Sequence, residues 1–96
     1  MSVPAHYKFR LYIAGDGPNS VLAVANLNAI CREHLADRHE IGVVDVLREP
    51  QRALADLVML TPLLVILSPE PIRRITGTLS QREPVLQALG LSTSTQ

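Results

Sequence analysis

The sequence predicts an α/β domain in which strands and helices follow one another as β-α-β-α-β-β-α, with helices on both faces of a mixed sheet. Three observations carry that prediction. A period-two strand pattern over residues 8–13 leads into a long apolar stripe at helical spacing. Two further aliphatic runs, Ile41 to Leu47 and Leu63 to Leu67, have the length and composition of buried strands. Only SPEP, residues 68–71, separates the second run from IRRIT, too little chain for a crossover, so those two segments must form an antiparallel hairpin.

Each element has its own justification. Phe9, Leu11 and Ile13 alternate with Lys8, Arg10 and Tyr12, so strand one has one buried face. Gly15 and Gly17 supply turn backbone, and Pro18 suits a first helical position, where a missing N–H costs nothing. Val21, Val24, Leu27, Cys31 and Leu35, widened by Leu22 and Ile30, form the stripe that packs helix one on the sheet. Ile41 to Leu47 is nearly continuous, as a strand covered on both faces is, and the helical crossover makes it parallel to strand one. After Pro50, Leu54, Leu57 and Val58 keep helical spacing over a short second helix. Leu63 to Leu67 is the most buried strand and closes the parallel series. Ser80 and Glu83 form a capping box ahead of Val85, Leu86 and Leu89, with Gly90 as the stop and a polar tail at 92–96. Pro84 would delete a backbone bond inside that helix, so the helix is expected to begin late.

Composition removes several function classes. Ninety-six residues, 47% hydrophobic and 19% charged, make one domain with a small core, spanning 1–96. Nine basic and nine acidic side chains cancel, leaving no global field to draw in nucleic acid or an anionic membrane. Aromatic residues at 3% are too few to build stacking platforms for single strands. No apolar run reaches the roughly 18 residues of a membrane span and MSVPAHYK lacks the order of a signal peptide, so a cytoplasmic location is expected. Cys31 is the single cysteine; on the helical stripe it reads as a small core hydrophobe. His6, His34 and His39 are scattered without ligand spacing, and neither a metal nor a cofactor is expected.

The loop GDGPNS, residues 15–20, mimics part of a dinucleotide fingerprint, with Gly15-x-Gly17, the small Ser20 and Asp45 near the end of strand two. Pro18 removes one N–H from the would-be phosphate nest, and the parallel series stops after strand three. The element order is itself the thioredoxin-like βαβαββα arrangement, in which a redox pair would occupy this loop. No sulfur lies there, so dithiol exchange is excluded. Thr61-Pro62 falls where thioredoxin-like proteins carry a cis-proline, and a cis bond is expected on that analogy.

LYIAGDGPNS, NLNAI, VVDVLREPQ, LTPLL and PEPIRRITGTLSQRE, in that order from about Tyr7 to Leu91, together resemble the KaiB family of bacterial circadian clock proteins. The resemblance implies a non-enzymatic module that binds the hexameric ATPase KaiC, modulates its phosphorylation state, captures KaiA in the bound state and competes with the KaiB-like sensory domain of SasA. It also implies two folds: a tetrameric ground state with a different C-terminal half, and a monomeric thioredoxin-like state competent to bind. The implied partner-binding positions are Glu40, Gly42, Asp45, Leu47, Arg48, Pro50, Gln51, Arg73 and Arg74. Alternation puts the two arginines on opposite faces, and a plain helix-start role remains open for Asp45, Arg48 and Pro50.

Pro62, Pro84, Ala88 and Gly90 are the fold-determining positions. Clock-type relatives read Gly-Leu-Asp-Leu where this chain has Ala88-Leu89-Gly90-Leu91; alanine inside the helix and glycine after it favour the thioredoxin-like state. Pro84 argues the other way. Clock-type members also tend to carry lysine at the positions of Gly42 and Ile66, which weakens charge complementarity to their partners. Two alternatives therefore stand beside the clock module: a non-clock regulator serving stress response or another ATPase, and a small-ligand or enzymatic domain using the GDGPNS loop.

Overall fold

The computed structural model describes residues 5–91, so the polar tail at 92–96 lies outside the described residues. Strands β1 (Tyr7–Ile13), β2 (His39–Asp45), β3 (Leu63–Ser68) and β4 (Arg73–Thr76) alternate with helices α1 (Pro18–His34), α2 (Pro50–Ala55) and α3 (Arg82–Ala88) in the expected order. The sheet runs β2-β1-β3-β4. β1 and β2 are parallel, and β3–β4 is the antiparallel hairpin that the short SPEP link requires.

β3 does not continue a parallel series; it runs antiparallel to β1, with Tyr12 opposite Leu63 and Phe9 opposite Ile66. The link over residues 46–62 is held beside the end of β1, where Asp56 accepts from Arg10 and Tyr12. The chain therefore enters β3 opposite Tyr12 and runs back along β1.

The core is lopsided. One face of the sheet packs under α1 and α3, where, among the described residues, thirteen buried side chains, including Phe9, Leu11, Leu27, Ile30, Leu64 and Ile66, form one cluster. On the opposite face the buried set is Tyr12, Val44, Leu63 and Val65, with Val46, Val58 and Leu67 at its margin. Within α1 the buried line is Ser20, Ala23, Leu27, Ile30 and Cys31, while the expected Val21 and Leu22 are exposed. Small side chains at positions 20 and 23 let the helix approach the sheet closely, something a pattern weighted by side-chain size does not register.

β2 spans His39–Asp45, not Ile41 to Leu47, and buries only Val44. Its continuous apolar run reads as a central strand, yet it pairs with β1 alone and is an edge. α2 stops at Ala55 and buries none of its side chains. The terminus closes in a Schellman pattern, Leu57 N–H donating to Leu54 O at 3.1 Å and Val58 N–H to Ala53 O at 2.9 Å. Leu57 takes the left-handed position at φ 55, which is usually given to glycine.

α3 starts at Arg82 after the N-cap Gln81, and no side chain caps it. The expected capping box does not form, because Ser80 lies one residue outside the cap and its hydroxyl meets Thr78 Oγ1 at 2.7 Å. The late start resolves the Pro84 conflict: as the third helical residue it falls among N–H positions that lack an intrahelical acceptor. At the other end Gly90 N–H donates to Gln87 O at 3.1 Å and Leu91 N–H to Leu86 O at 2.8 Å, with Gly90 at φ 73. This is the glycine-terminated stop expected after Ala88. Arg82 forks onto the Glu33 carboxylate of α1, the longer bond being 2.7 Å, and Tyr7 donates its hydroxyl to Leu89 O at 3.2 Å.

Candidate protein interface

The sheet face opposite α1 and α3 is the one left incompletely covered. Alternation along β1 aims Phe9 and Leu11 at the main core and Lys8, Arg10 and Tyr12 at this other face. Strand register then builds rows across the sheet: Gly42, Arg10, Val65 and Arg74 form one, and Val44, Tyr12, Leu63 and Thr76 the next. Glu40 stands opposite Lys8.

Asp56, the residue after α2, anchors the covering segment to this face. Its Oδ2 accepts from Arg10 Nη1 at 3.0 Å and from the Tyr12 hydroxyl, while Arg74 Nη2 donates to the Asp56 carbonyl. The Tyr12 bond, and after the opposing effect of burial the Arg10 bond, hold the Asp56 carboxyl below the usual carboxylate range. Burial and the same carboxylate push the Tyr12 phenol up. Beyond this anchor the segment is apolar and exposed. Among the described residues nine large hydrophobic side chains are exposed, and Leu47, Leu54, Leu57, Met59, Leu60 and Ile72 belong to α2, its flanks or the β3–β4 turn. One recess is lined by Leu57, Met59, Leu60, Leu63, Arg74 and Thr76. A second is lined by Arg10, Asp56, Val65, Leu67, Ile72 and Arg74. Arg74 joins the two into one surface.

The structure distributes the sequence-predicted positions unevenly. Glu40 and Gly42 lie on the open edge strand, their positions in register with Lys8 and Arg10. Leu47, Arg48, Pro50 and Gln51 are exposed around the start of α2. Asp45 turns inward: its Oδ1 accepts from Gly15 N–H at 3.0 Å and Leu47 N–H at 2.9 Å, and Arg48 stands 3.8 Å from its Oδ2. Arg73 belongs to the α1–α3 side, donating to Pro69 O at 3.0 Å and to the Ala88 carbonyl at the end of α3. Arg74 alone of the pair shares the open face. Sequence reasoning missed Arg10, Tyr12, Asp56, Met59, Leu60 and Ile72. The signal available was the polar alternation of β1, which places cations on a face whose central-strand position would otherwise call for apolar residues.

The GDGPNS loop is a bolt between the ends of β1 and β2. Ala14 N–H donates to Ser20 Oγ at 3.2 Å, Gly15 N–H is taken by Asp45 and Pro18 has none, so these three positions offer no amide to a phosphate. Cys31 is fully buried, and burial pushes its thiol up to about 11. Among the described residues no group of three His, Cys, Asp or Glu lies together to hold a metal, and no helix is long and apolar enough to cross a membrane. The Thr61–Pro62 bond is cis, as expected.

Comparison with known proteins gives this geometry its context. The KaiB domain family matches residues 10–91. The chain is 43% identical over 82 residues to the circadian clock protein KaiB3 of Synechocystis sp., covering 85% of this chain and 80% of that one. It is 45% identical over 85 residues to the circadian clock oscillator protein KaiB of Thermosynechococcus vestitus, covering 88% and 79%. Among solved structures, the N-terminal domain of Synechococcus elongatus SasA superposes with a TM-score of 0.74 at 19% identity, over 100% of this chain and 94% of that domain. Chloroplastic thioredoxin z does so with a TM-score of 0.71 at 17% identity, over 91% and 80%. At those identities the structural likeness establishes a thioredoxin-like fold, and the sequence matches place the chain, from Arg10 to Leu91, in the KaiB family.

Proposed function

We propose that this chain is a non-enzymatic, cytoplasmic clock module that docks through the α2 side of its sheet onto a KaiC-type hexameric ATPase and modulates its phosphorylation state. The observation that carries the reading is the exposure of Leu54, Leu57, Met59 and Leu60 around a helix that buries nothing. Contiguous apolar surface rimmed by charge is the signature of a protein contact. Leu57 adds weight, because an exposed leucine held at φ 55 costs stability without contributing to the core. The likeness to the SasA domain supports competition for one ring site, and the open β2 edge offers backbone pairing to a third protein such as KaiA.

The monomeric thioredoxin-like state is the binding state in this proposal. Pro62 before β3, Pro84 in the first turn of α3, Ala88 as its last residue and Gly90 in the stop all suit it. Ile66 is fully buried against the α1–α3 side, where the lysine of clock-type relatives would be a charge in the core. The same departure, with exposed Gly42, favours a second reading: a regulator of a different ATPase outside the clock. Sedimentation of the chain with a KaiC-type hexamer in ATP and in ADP tests the proposal. Nucleotide-dependent co-sedimentation supports it, and none in either nucleotide refutes it.

A further inference from the structure

We infer that the recess between Arg10 and Arg74 is a receptor for one carboxylate side chain, an aspartate or glutamate flanked by aliphatic residues, presented by the protein partner. The inference deepens the docking reading above and rests on it for the partner. Charge comes first. Arg10 is matched by Asp56 at 3.0 Å, whereas Arg74 reaches only the Asp56 carbonyl, and among the described residues no carboxylate forms a salt bridge with it. The recess thus holds two guanidinium groups against one carboxylate. Its walls are Val65, Leu67 and Ile72, with Ile72 60% exposed at the rim.

Size then selects the ligand class. The recess is about 130 Å³, well under the roughly 300 Å³ at which small-molecule pockets begin. It has room for one carboxylate side chain with its methylenes. Guanidinium matches a carboxylate as a two-bonded fork, and apolar walls lower the local dielectric and strengthen that pairing. Residues flanking the acid would cover Ile72 on one side and Leu57 and Met59 on the other, since Arg74 lines both recesses.

Two measurements decide it. In amide NMR titrations at constant ionic strength, acetyl-Leu-Glu-Leu-amide is expected to shift Arg10, Val65, Ile72 and Arg74 saturably, and its Gln counterpart not. Arg74→Gln, which removes a single contact to a backbone carbonyl and should leave the remaining spectrum in place, abolishes the response, while Arg74→Lys keeps part of it. Equal shifts from both peptides, or inorganic phosphate giving the same shifts at lower concentration, overturns the receptor. Against a KaiC-type hexamer, Arg74→Gln is expected to weaken binding about tenfold or more. Unchanged ring affinity overturns the receptor and leaves the docking reading intact. A wild-type chain that binds no ring but discriminates the peptides removes the docking reading and leaves the receptor.

Discussion

Replacing Asp56 with alanine tests the architecture of the open face directly. The substitution strips the acceptor from Tyr12, a fully buried residue, and an orphaned buried hydroxyl costs about 1 to 3 kcal/mol. The Arg10 pair adds little, because its side chains are 31% and 35% exposed and solvent screening reduces such pairs to below about 1 kcal/mol. A total near 2 kcal/mol is expected, about 10 °C in Tm for a domain of this size, read by thermal and urea unfolding. The pH dependence has a definite sign. Asp56 is held below the usual carboxylate range, so its stabilisation is complete above the unfolded-state pKa, roughly 4, and is lost as pH falls through the lower folded value. Asp56→Ala should therefore lose less stability than wild type on acidification below about pH 4. Tyr12→Phe combined with Asp56→Ala should be clearly non-additive. Loss under about 0.5 kcal/mol, or additivity, would refute the anchor.

Three further outcomes follow from the packing. Cys31, buried with its thiol pushed up to about 11, should resist iodoacetamide at pH 8 in the native protein and react fully in guanidinium; equal rates in both would disprove its burial. The two left-handed helix stops should respond in opposite directions: Gly90→Ala should destabilise by about 1 kcal/mol, whereas Leu57→Gly should be neutral or stabilising by up to about 1 kcal/mol, as measured by urea midpoints. Ile66→Lys puts an uncompensated charge into the main core and should cost about 3 to 5 kcal/mol; a melt within a few degrees of wild type would contradict that placement.

The elements and their order were legible because each rests on a local rule. Alternation gives β1, a proline after glycine opens α1, a short link makes the β3–β4 hairpin, and glycine at position 90 closes α3. What was not legible is relational. Nothing in Ile41 to Leu47 distinguishes an edge from a centre, since that depends on which strands flank it. The direction of β3 depends on where the 46–62 link is held relative to β1, which long-range contacts decide. The candidate interface shows the same division: Glu40, Gly42, Leu47, Arg48, Pro50 and Gln51 lie close together in sequence and could be named from it, whereas Arg10, Asp56 and Arg74 meet only through strand register and a long-range contact.

The lopsided core carries a consequence for which substitutions the chain tolerates. Among the described residues, thirteen buried on the α1–α3 side against four on the other mean that stability is borne mainly by one face. Substitution on the open face is correspondingly cheap: exposed positions away from Asp56 have little to lose on truncation, and Leu57 even spends stability where it stands. Arg73 and Arg74 show how close the two regimes lie. One secures the end of α3 and the other lines an apolar-walled recess, so exchanging the second changes the open surface while exchanging the first removes a contact that holds α3. Positions 42 and 66 divide in the same way, Gly42 exposed on the edge strand and Ile66 buried in the main core. Surface and core are therefore separable by single residues in this chain, because alternation along each strand assigns neighbours to opposite faces.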